Sequence, residues 1–283
     1  MTLYTELLSN GASDQRRLVH VERDQTRAVL TLRDPERLNP LSAGLMVQFQ
    51  AHVMGLTADT SLRTIVITGQ DPAFCAGGDL DMIESGAKAI QTASDPSDTT
   101  DAWRWIRRQF GGLVRTVTSA DKIFIAAVNG AAAGVGLAFA LACDVIIASE
   151  RAVLVPAFGR LGLVPEVGTS WLLTRRLGYH SAMALYITGR HIDAAEAARL
   201  GLVQEVHPHH ELLAATQRWC ERISQFPPHA LEMTKPLLRA AADAAWEQSL
   251  KLEEYAEANC FSTTALPAAA AAIKASTRQA ASD

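Results

Sequence analysis

The chain has few cysteines, and they lie far apart. The four are Cys75, Cys143, Cys220 and Cys260. No two of them form a CxxC pair, so the sequence suggests neither a thiolate zinc site nor a disulfide framework. The amino terminus carries an acidic residue early and has no long apolar stretch after a basic one, unlike a secretory signal. We therefore expect a reducing compartment and a cytoplasmic protein.

Excess positive charge and long apolar runs are also missing. Lysine and arginine number 26 against 30 aspartate and glutamate, a formal net charge of −4. This balance argues against the basic surface that nucleic-acid binding needs. Charged residues or glycine-containing turns interrupt every apolar run before about 18 residues, so we expect no membrane span. With 48 % hydrophobic and 20 % charged residues over 283 positions, the composition is typical of one large globular domain or two small ones.

Common motifs of nucleotide binding and serine hydrolysis are absent too. Gly134 and Gly136 begin a GxG pattern, but Phe139 stands where a dinucleotide fingerprint has its third glycine. The chain has no GxxxxGK[ST] phosphate loop and no GxSxG nucleophile elbow. The sequence therefore argues against nucleotide binding and against serine hydrolase chemistry.

Short β-branched or alternating segments predict a strand hairpin followed by alternating helices and strands. The predicted strands are residues 18–23, 27–32, 64–68, 123–128 and 145–148. Helical periods cover residues 42–56, with Ser42 as N-cap, and 103–118. This order indicates an α/β domain with crossover connections. The small, polar residues 85–100 predict a mobile loop.

From residue 171 onward the pattern changes to successive helices. They are predicted over residues 181–188, 194–200, 212–224, 229–241 and 246–259. We therefore expect the last third of the chain to be helical.

Two glycine-bearing segments, residues 72–80 and 129–144, each follow a predicted strand and precede a helix. Small residues there allow a ligand to approach the backbone, and helix amino termini offer unpaired N–H groups to an anion. Together the segments could place two backbone donors around one oxygen. Alternatively, each is only a tight turn that lets a helix pack on a sheet.

The pair of segments, in this order and spacing, resembles the enoyl-CoA hydratase/isomerase (crotonase) superfamily. The resemblance extends over about residues 18–265 and rests on five segments in the family's order. They are residues 34–42 (DPERLNPLS), 74–80 (FCAGGDL), 125–144 (IAAVNGAAAGVGLAFALACD), 160–178 (RLGLVPEVGTSWLLTRRLG) and 187–206 (ITGRHIDAAEAARLGLVQEV).

The resemblance implies an α/β fold: a spiral of β–β–α turns over residues 1–200, with a helical carboxy-terminal trimerisation region over residues 201–283. It implies an acyl-CoA thioester substrate, with no cofactor beyond the CoA that the substrate carries. A homotrimer or a dimer of trimers is expected. We expect neither a nucleic-acid nor a membrane partner.

The resemblance also assigns residues to the site. In the family, two backbone N–H groups form an oxyanion hole for the thioester oxygen, and they fall here at Gly78 and Val135. Such donors stabilise an enolate. The expected CoA contacts come from Arg37, Leu38, Ala76, Asp79 and Leu80.

The chain departs from the family's hydratases, which use two glutamates to hold and activate water. Ala138 and Phe158 occupy those two positions, and neither can transfer a proton. No acidic residue lies between Arg151 and Pro165 to replace them. A two-glutamate hydratase is therefore not expected.

Glu166 is the remaining acid–base candidate. It follows a proline, as does the single acidic residue of some family members that shift a double bond. Burial against apolar neighbours would raise its pKa toward a useful range. Alternatively, Glu166 lies in the first turn of a helix beginning near Val167 and stabilises the helix dipole.

We accordingly predict an acyl-CoA double-bond isomerase that uses Glu166 as its only proton shuttle. The alternatives are an enoyl-CoA hydratase or an acyl-CoA hydrolase of the same fold, or a CoA-binding protein that has lost catalysis. His207, His209 and His210 lie in a predicted turn without an acidic partner pattern, so we predict no metal site.

Overall fold

The computed structural model describes residues 2–92 and 97–280 of the chain. The chain divides into two compact units, residues 1–223 and 224–283. The division at residue 200 that the resemblance implies stays a prediction. No described helix is both long enough and apolar enough to cross a membrane.

Six of the described strands form the larger sheet, in the order β1-β2-β3-β5-β7-β10. They are β1 (Val19–Arg23), β2 (Arg27–Leu32), β3 (Thr64–Gly69), β5 (Ile123–Val128), β7 (Val145–Ser149) and β10 (Glu205–His207). β1 and β2 pair antiparallel and the other neighbours pair parallel, so the predicted hairpin and the three predicted strands after it are confirmed. Every residue of β3 is buried, as expected for a parallel strand covered on both faces.

A smaller sheet has the order β4-β6-β8-β9 among the described residues. Its strands are β4 (Ala73–Cys75), β6 (Ala131–Ala133), β8 (Val153–Val155) and β9 (Ile192–Asp193). They are two or three residues long, and β6 consists of alanine alone. The sequence pattern did not predict them, because alanine is not a strand former and three residues give no periodicity.

The first unit contains helices α1 to α9 and nearly all of α10. They are α1 (Leu3–Ser13), α2 (Ala43–Ala58), α3 (Leu80–Thr92), α4 (Ser97–Trp105), α5 (Gly111–Ser119), α6 (Val135–Ala142), α7 (Thr169–Leu177), α8 (Tyr179–Thr188), α9 (Ala194–Arg199) and α10 (Leu212–Ser224). Ser42 caps α2, as predicted, by accepting a hydrogen bond from the N–H of Leu45. A π-helical segment, Ile106–Phe110, joins α4 to α5.

The predicted loop over residues 85–100 is wrong where the structure describes it. Residues 85–92 belong to α3 and 97–100 to α4, while residues 93–96 lie outside the described residues. Asp79 starts α3 by accepting hydrogen bonds from two N–H groups of its first turn, and an ion pair between Glu84 and Lys88 supports the next turn. These local interactions stabilise a helix in a segment whose polar composition predicted a loop.

The second unit contains the remaining described helices, α11 (Pro228–Ala241), α12 (Trp246–Phe261) and α13 (Ala265–Ala280). Large apolar side chains on α11 and α12 are exposed, among them Leu238, Trp246 and Tyr255. The predicted helical character of this part of the chain is confirmed.

The first unit repeats one connection. A strand of the larger sheet leads into a strand of the smaller sheet and then into a helix, as in β3–β4–α3 and β5–β6–α6. β4 pairs parallel with β6, with Ala73 opposite Ala131 and Cys75 opposite Ala132. The turns that follow these two strands therefore lie side by side.

Candidate active site

The turn after β4 contains Gly77 and Gly78. Gly77 has a φ of +97°, and a Cβ at this position would lie 2.7 Å from the carbonyl oxygen of Ala133. A side chain is thus excluded both by the backbone conformation and by the neighbouring strand. Gly77 lets the chain leave β4 in direct contact with the end of β6.

The turn after β6 contains Gly134, with a φ of +51°, and Val135, the first residue of α6. A Cβ on Gly136 would lie 2.5 Å from the carbonyl oxygen of Cys75, so α6 packs directly on the backbone of β4. The Cβ position on Gly77 is 3.6 Å from the backbone nitrogen of Val135. The structure therefore brings the two predicted glycine turns together.

A hydrogen bond fixes the direction of the Gly78 N–H. The carbonyl oxygen of Gly77 accepts from the N–H of Leu41 over 2.7 Å. In a planar trans peptide the C=O and N–H groups point in opposite directions. The N–H of Gly78, which shares that peptide, therefore points away from Leu41.

The Val135 N–H is directed in the same way. The carbonyl oxygen of Gly134 accepts from the N–H of Ala138 over 3.1 Å, within the first turn of α6. Val135 is the first residue of α6, so its N–H has no hydrogen-bond acceptor within the helix. In the part of the chain that the structure describes, neither Gly78 nor Val135 donates a backbone hydrogen bond. Both donors are available to an oxygen of a ligand.

Apolar side chains line this pair of turns. Ala138, one helical turn beyond Gly134, is fully buried. Phe158 is also buried, and its Cε1 atom lies 3.9 Å from the Cβ position on Gly134. Neither side chain can accept a hydrogen bond or a proton from a water molecule.

Glu166 lies half-buried in the segment that connects Phe158 to α7. Burial raises the pKa of Glu166 to about 7. No hydrogen bond or ion pair to its carboxylate occurs within the described residues. The carboxyl therefore titrates near neutral pH, where it can both accept and return a proton.

The helix after Glu166 begins later than predicted. α7 starts at Thr169 with Gly168 as its N-cap, so Glu166 lies outside the first turn. The alternative in which Glu166 serves as a first-turn charge of this helix is therefore wrong. Its carbonyl oxygen instead accepts a hydrogen bond from the N–H of Thr169 over 2.9 Å.

Val167, which directly follows Glu166, has a φ of +57°. A β-branched residue in the left-handed region is a steric outlier, and such strain costs on the order of 1–3 kcal/mol. Val167 packs against the hydrophobic core, and Gly168 continues the turn with a φ of +87°. Packing thus holds the backbone beside Glu166 in a conformation that the chain would not adopt alone.

The predicted CoA-contact residues meet at one edge of the site. The Nη2 atom of Arg37 lies 2.8 Å from Oδ2 of Asp79, and the carbonyl oxygen of Leu38 accepts from the N–H of Ala76 over 2.9 Å. Leu80, at the start of α3, is 60 % exposed. The two loops are therefore in contact, while their role toward CoA stays a prediction.

Asn39 is a site residue that sequence reasoning missed. It is fully buried, has a φ of +55°, and makes three side-chain hydrogen bonds to backbone atoms. The one signal in the sequence is an asparagine between Leu38 and Pro40, since asparagine tolerates the left-handed conformation better than most residues.

The three histidines each lie close to a carboxylate, contrary to the predicted lack of acidic partners. His207 contacts Glu205, His210 approaches Glu211, and His209 contacts Asp71 through Nε2. The Nδ1 atom of His209 lies 3.1 Å from Oγ of the buried Ser149, which links this histidine to the end of β7. No group of three potential metal ligands occurs among the described residues.

Comparison with known proteins identifies the family. Residues 22–272 match the family described as Enoyl-CoA hydratase/isomerase. The chain belongs to this family. It is an enzyme of the crotonase superfamily, and an acyl-CoA substrate follows from that membership.

A solved structure agrees with this assignment. The fold matches the crystal structure of a probable enoyl-CoA hydratase/isomerase from Mycobacterium abscessus with a TM-score of 0.81 and 32 % identity, over 92 % of this chain and 96 % of that one. The predicted crotonase fold, with its two sheets and carboxy-terminal helices, is confirmed.

Curated relatives of this family enzyme have different activities. A probable enoyl-CoA hydratase of Mycobacterium tuberculosis is 35 % identical over 86 % of this chain and 89 % of its own. The 1,2-epoxyphenylacetyl-CoA isomerase of Escherichia coli is 32 % identical over 83 % of this chain and 86 % of its own. Similarity therefore establishes the family and leaves the choice between hydratase and isomerase to the residues of the site.

Proposed function

We propose that this family enzyme is an acyl-CoA double-bond isomerase in which Glu166 is the only proton carrier. The observation that carries the proposal is the carboxyl of Glu166, half-buried and without a partner in the described residues, with its pKa raised to about 7. Ala138 and Phe158 supply no second acid. Water addition needs a group to activate water and a group to protonate carbon, whereas a double-bond shift needs only one group that does both in turn.

The reaction begins when the Glu166 carboxylate takes a proton from the α carbon of a 3-enoyl-CoA. The electrons left on that carbon spread into the thioester carbonyl and the neighbouring double bond, which gives a dienolate. The protonated carboxyl then returns the proton to the carbon two positions along the chain. Atoms and charge balance without a co-reactant, and the product is the 2-enoyl-CoA.

The N–H groups of Gly78 and Val135 stabilise the dienolate by donating to the thioester oxygen. The two donors lie on adjacent turns, and the N–H of Val135 lies at the positive end of a helix. A positioned donor of this kind contributes about 10²–10³ in rate where it has been removed by mutation. The apolar neighbours exclude water and so strengthen these hydrogen bonds.

The relatives support the proposal unequally. The name of the mycobacterial relative favours a hydratase, while that of the E. coli relative is an isomerase. The local chemistry favours the second, because the apolar Ala138 and Phe158 lie beside Gly134. The CoA moiety is proposed to bind along Arg37, Leu38, Ala76, Asp79 and Leu80, whose two loops are in contact.

The experiment that tests the function uses purified protein with 3-enoyl-CoA, 2-enoyl-CoA and 3-hydroxyacyl-CoA in separate reactions. Liquid chromatography with mass spectrometry separates the outcomes. In the reactions with an enoyl-CoA, isomerisation keeps the mass of the substrate and changes its retention time, whereas hydration adds the mass of one water. Hydrolysis releases free CoA. Hydration or hydrolysis as the main reaction contradicts the proposal, and no reaction with any substrate favours a CoA-binding protein.

We also propose that the protein assembles as a trimer or a dimer of trimers. The proposal follows the family, and the exposed apolar residues of α11 and α12 support it. Leu238 is 70 % exposed, Trp246 79 % and Tyr255 74 %. Burial of these large apolar side chains against another subunit would stabilise such an assembly.

A further inference from the structure

We propose that Asn39 is a positioning residue for the oxyanion hole. Acting through Leu41, it holds the peptide between Gly77 and Gly78 so that the N–H of Gly78 points toward the thioester oxygen. The inference rests on the proposed function, since it takes this N–H to be an oxyanion donor. Asn39 is fully buried, so its role is to position a neighbouring backbone donor.

The side-chain amide of Asn39 ties three backbone segments together. Its Oδ1 atom accepts from the N–H of Asp34 over 2.8 Å. Its Nδ2 atom donates to the carbonyl oxygens of Gln70 and Ala73, each over 2.7 Å. One buried amide therefore joins the loop after β2, the end of β3 and the first residue of β4. Removing it leaves the buried N–H of Asp34 without this acceptor, and an unpaired buried donor costs more than the net value of the bond.

The backbone at Asn39 is as constrained as its side chain. Leu38 and Asn39 have φ values of +65° and +55°, two consecutive left-handed residues that are not glycine. The N–H of Asn39 donates to the carbonyl oxygen of Asp34 over 2.8 Å, which closes the loop on itself. The side-chain bonds stabilise this turn in a conformation that is otherwise unfavourable.

The effect of the turn reaches Gly78 in two steps. The chain passes from Asn39 through Pro40 to Leu41, whose N–H donates to the carbonyl oxygen of Gly77 over 2.7 Å. That carbonyl belongs to the same planar peptide as the N–H of Gly78. A shift of Leu41 therefore rotates the peptide and moves the donor, and a misplacement of about 1 Å near a reacting group can cost 10²-fold in rate.

Asn129 is a second buried asparagine that binds the start of β4. Its Nδ2 atom donates to Asp71 over 2.8 Å and reaches the carbonyl oxygen of Ala73 at 3.3 Å. Asn129 follows β5 and has no covalent path to Leu41 as short as the one from Asn39. Both asparagines fix the start of β4, but only Asn39 also fixes the residue that orients the Gly78 peptide.

The test compares the parent with Asn39→Gly and Asn39→Asp. Glycine tolerates the left-handed backbone and removes all three side-chain bonds. Aspartate keeps the size and the acceptor for Asp34 but places an oxygen against two carbonyl oxygens. The control is Gln204→Ala, which removes another side-chain bond to a strand backbone, the one that Gln204 accepts from the N–H of Ile146 in β7. Circular dichroism and melting temperatures establish that each variant is folded.

Each protein is saturated with butyryl-CoA carrying carbon-13 at the thioester carbonyl, and the carbonyl stretching band is recorded by infrared difference spectroscopy. Donors aimed at the oxygen lower the frequency of this band. We expect the parent and Gln204→Ala to shift it equally and both Asn39 variants to lose most of the shift. In assays with 3-enoyl-CoA, kcat should fall by about 10- to 10²-fold in the Asn39 variants, with a much smaller change in KM.

The outcomes separate this inference from the proposed function. If the parent does not lower the band, the oxyanion hole fails and the inference fails with it. If the parent lowers the band and both Asn39 variants retain the shift and kcat, the oxyanion hole stands and the inference is overturned. If Asn39→Gly does not fold, Asn39→Asp alone decides between these results. Loss of the shift in Gln204→Ala as well would show a general effect of destabilisation and overturn a specific role for Asn39.

Discussion

Phe158 lies against Gly134, with its Cε1 atom 3.9 Å from the position that a Cβ would take on the glycine. The aromatic ring therefore borders the turn that presents the N–H of Val135. Ala138 contributes a second apolar surface one helical turn further on. Neither Phe158 nor Ala138 offers a carboxylate to a water molecule bound beside this turn.

The first prediction follows from these apolar neighbours: hydration of crotonyl-CoA should be slow or absent. Family hydratases use two positioned acids to deliver water and a proton across a conjugated double bond, and Ala138 and Phe158 supply neither. The loss of crotonyl-CoA absorbance measures the rate directly. A turnover near the roughly 10 s⁻¹ typical of enzymes would mean that other acids handle the water.

A second prediction concerns the backbone donor of Gly78. Gly78→Pro removes the N–H and should reduce isomerisation by about 10²–10³, the usual contribution of one oxyanion donor. Gly78→Ala is the comparison, because it retains the N–H. An alanine Cβ would lie 2.9 Å from the flexible end of Ile83, so that side chain must move. Activity should therefore fall much less in Gly78→Ala, and equal activity of the two variants would argue against the N–H as a donor.

A third prediction concerns assembly. Light scattering at micromolar concentration should give the mass of a trimer or a hexamer. Trp246 is 79 % exposed on α12, and burial of such a ring between subunits would stabilise the assembly. Trp246→Glu should therefore shift the protein toward smaller species. The control is Lys251→Glu on the same helix, which introduces the same side chain at an already charged position. A monomeric parent protein would contradict the proposal.

The elements that the sequence predicted well are those with long, clear patterns. β2 alternates between buried and half-buried residues, and Ser42 is a typical N-cap, so both were evident without a structure. The strands of the smaller sheet were missed because they are too short to show a period. α3 was mistaken for a loop, because its polar composition was given more weight than Asp79, whose carboxylate accepts hydrogen bonds at the start of the helix.

Some features of the candidate site could likewise be predicted from the sequence, and others could not. The two glycine turns were visible in the sequence, while the family resemblance was needed to select Gly78, Val135 and Glu166 within their segments. The hydrogen bond between Leu41 and Gly77 could not be predicted, since backbone groups are the same at every residue and their pairing depends on the tertiary fold. The positive φ of Val167 was also hidden, because nothing in a valine indicates a left-handed backbone.

A fourth prediction tests the chemical role of Glu166. Glu166→Gln keeps the shape of the side chain and removes the base, so isomerisation should fall by about 10²–10⁴. The control is Glu150→Gln, a matched change at an exposed position after β7, which should leave the rate unchanged. With a substrate deuterated at the α carbon, a single shuttling base should carry some deuterium to the new position. Full activity of Glu166→Gln would contradict the proposed mechanism.

A fifth prediction uses the pKa of Glu166, which burial raises from 4.5 to about 7. The base must be ionised in the free enzyme, so kcat/KM for isomerisation should rise with pH and level off above about pH 7. The profile measured from pH 5 to 9 checks this. A profile that is already flat at pH 5 would mean that the working base has an ordinary carboxyl pKa.

The same shift predicts a pH-dependent effect on stability. A carboxyl whose pKa is raised by folding binds its proton more tightly in the folded state. Its contribution to stability is therefore complete below about pH 4.5 and is lost as pH rises to about 7. Above that pH the parent must keep an ionised carboxylate half-buried, whereas Glu166→Gln carries no charge. The melting temperature of Glu166→Gln relative to the parent should thus be higher at pH 8 than at pH 4.5, and a difference independent of pH would show that the pKa of Glu166 is not raised. Because every other titrating group is common to the two proteins, the change in this difference isolates the single carboxyl.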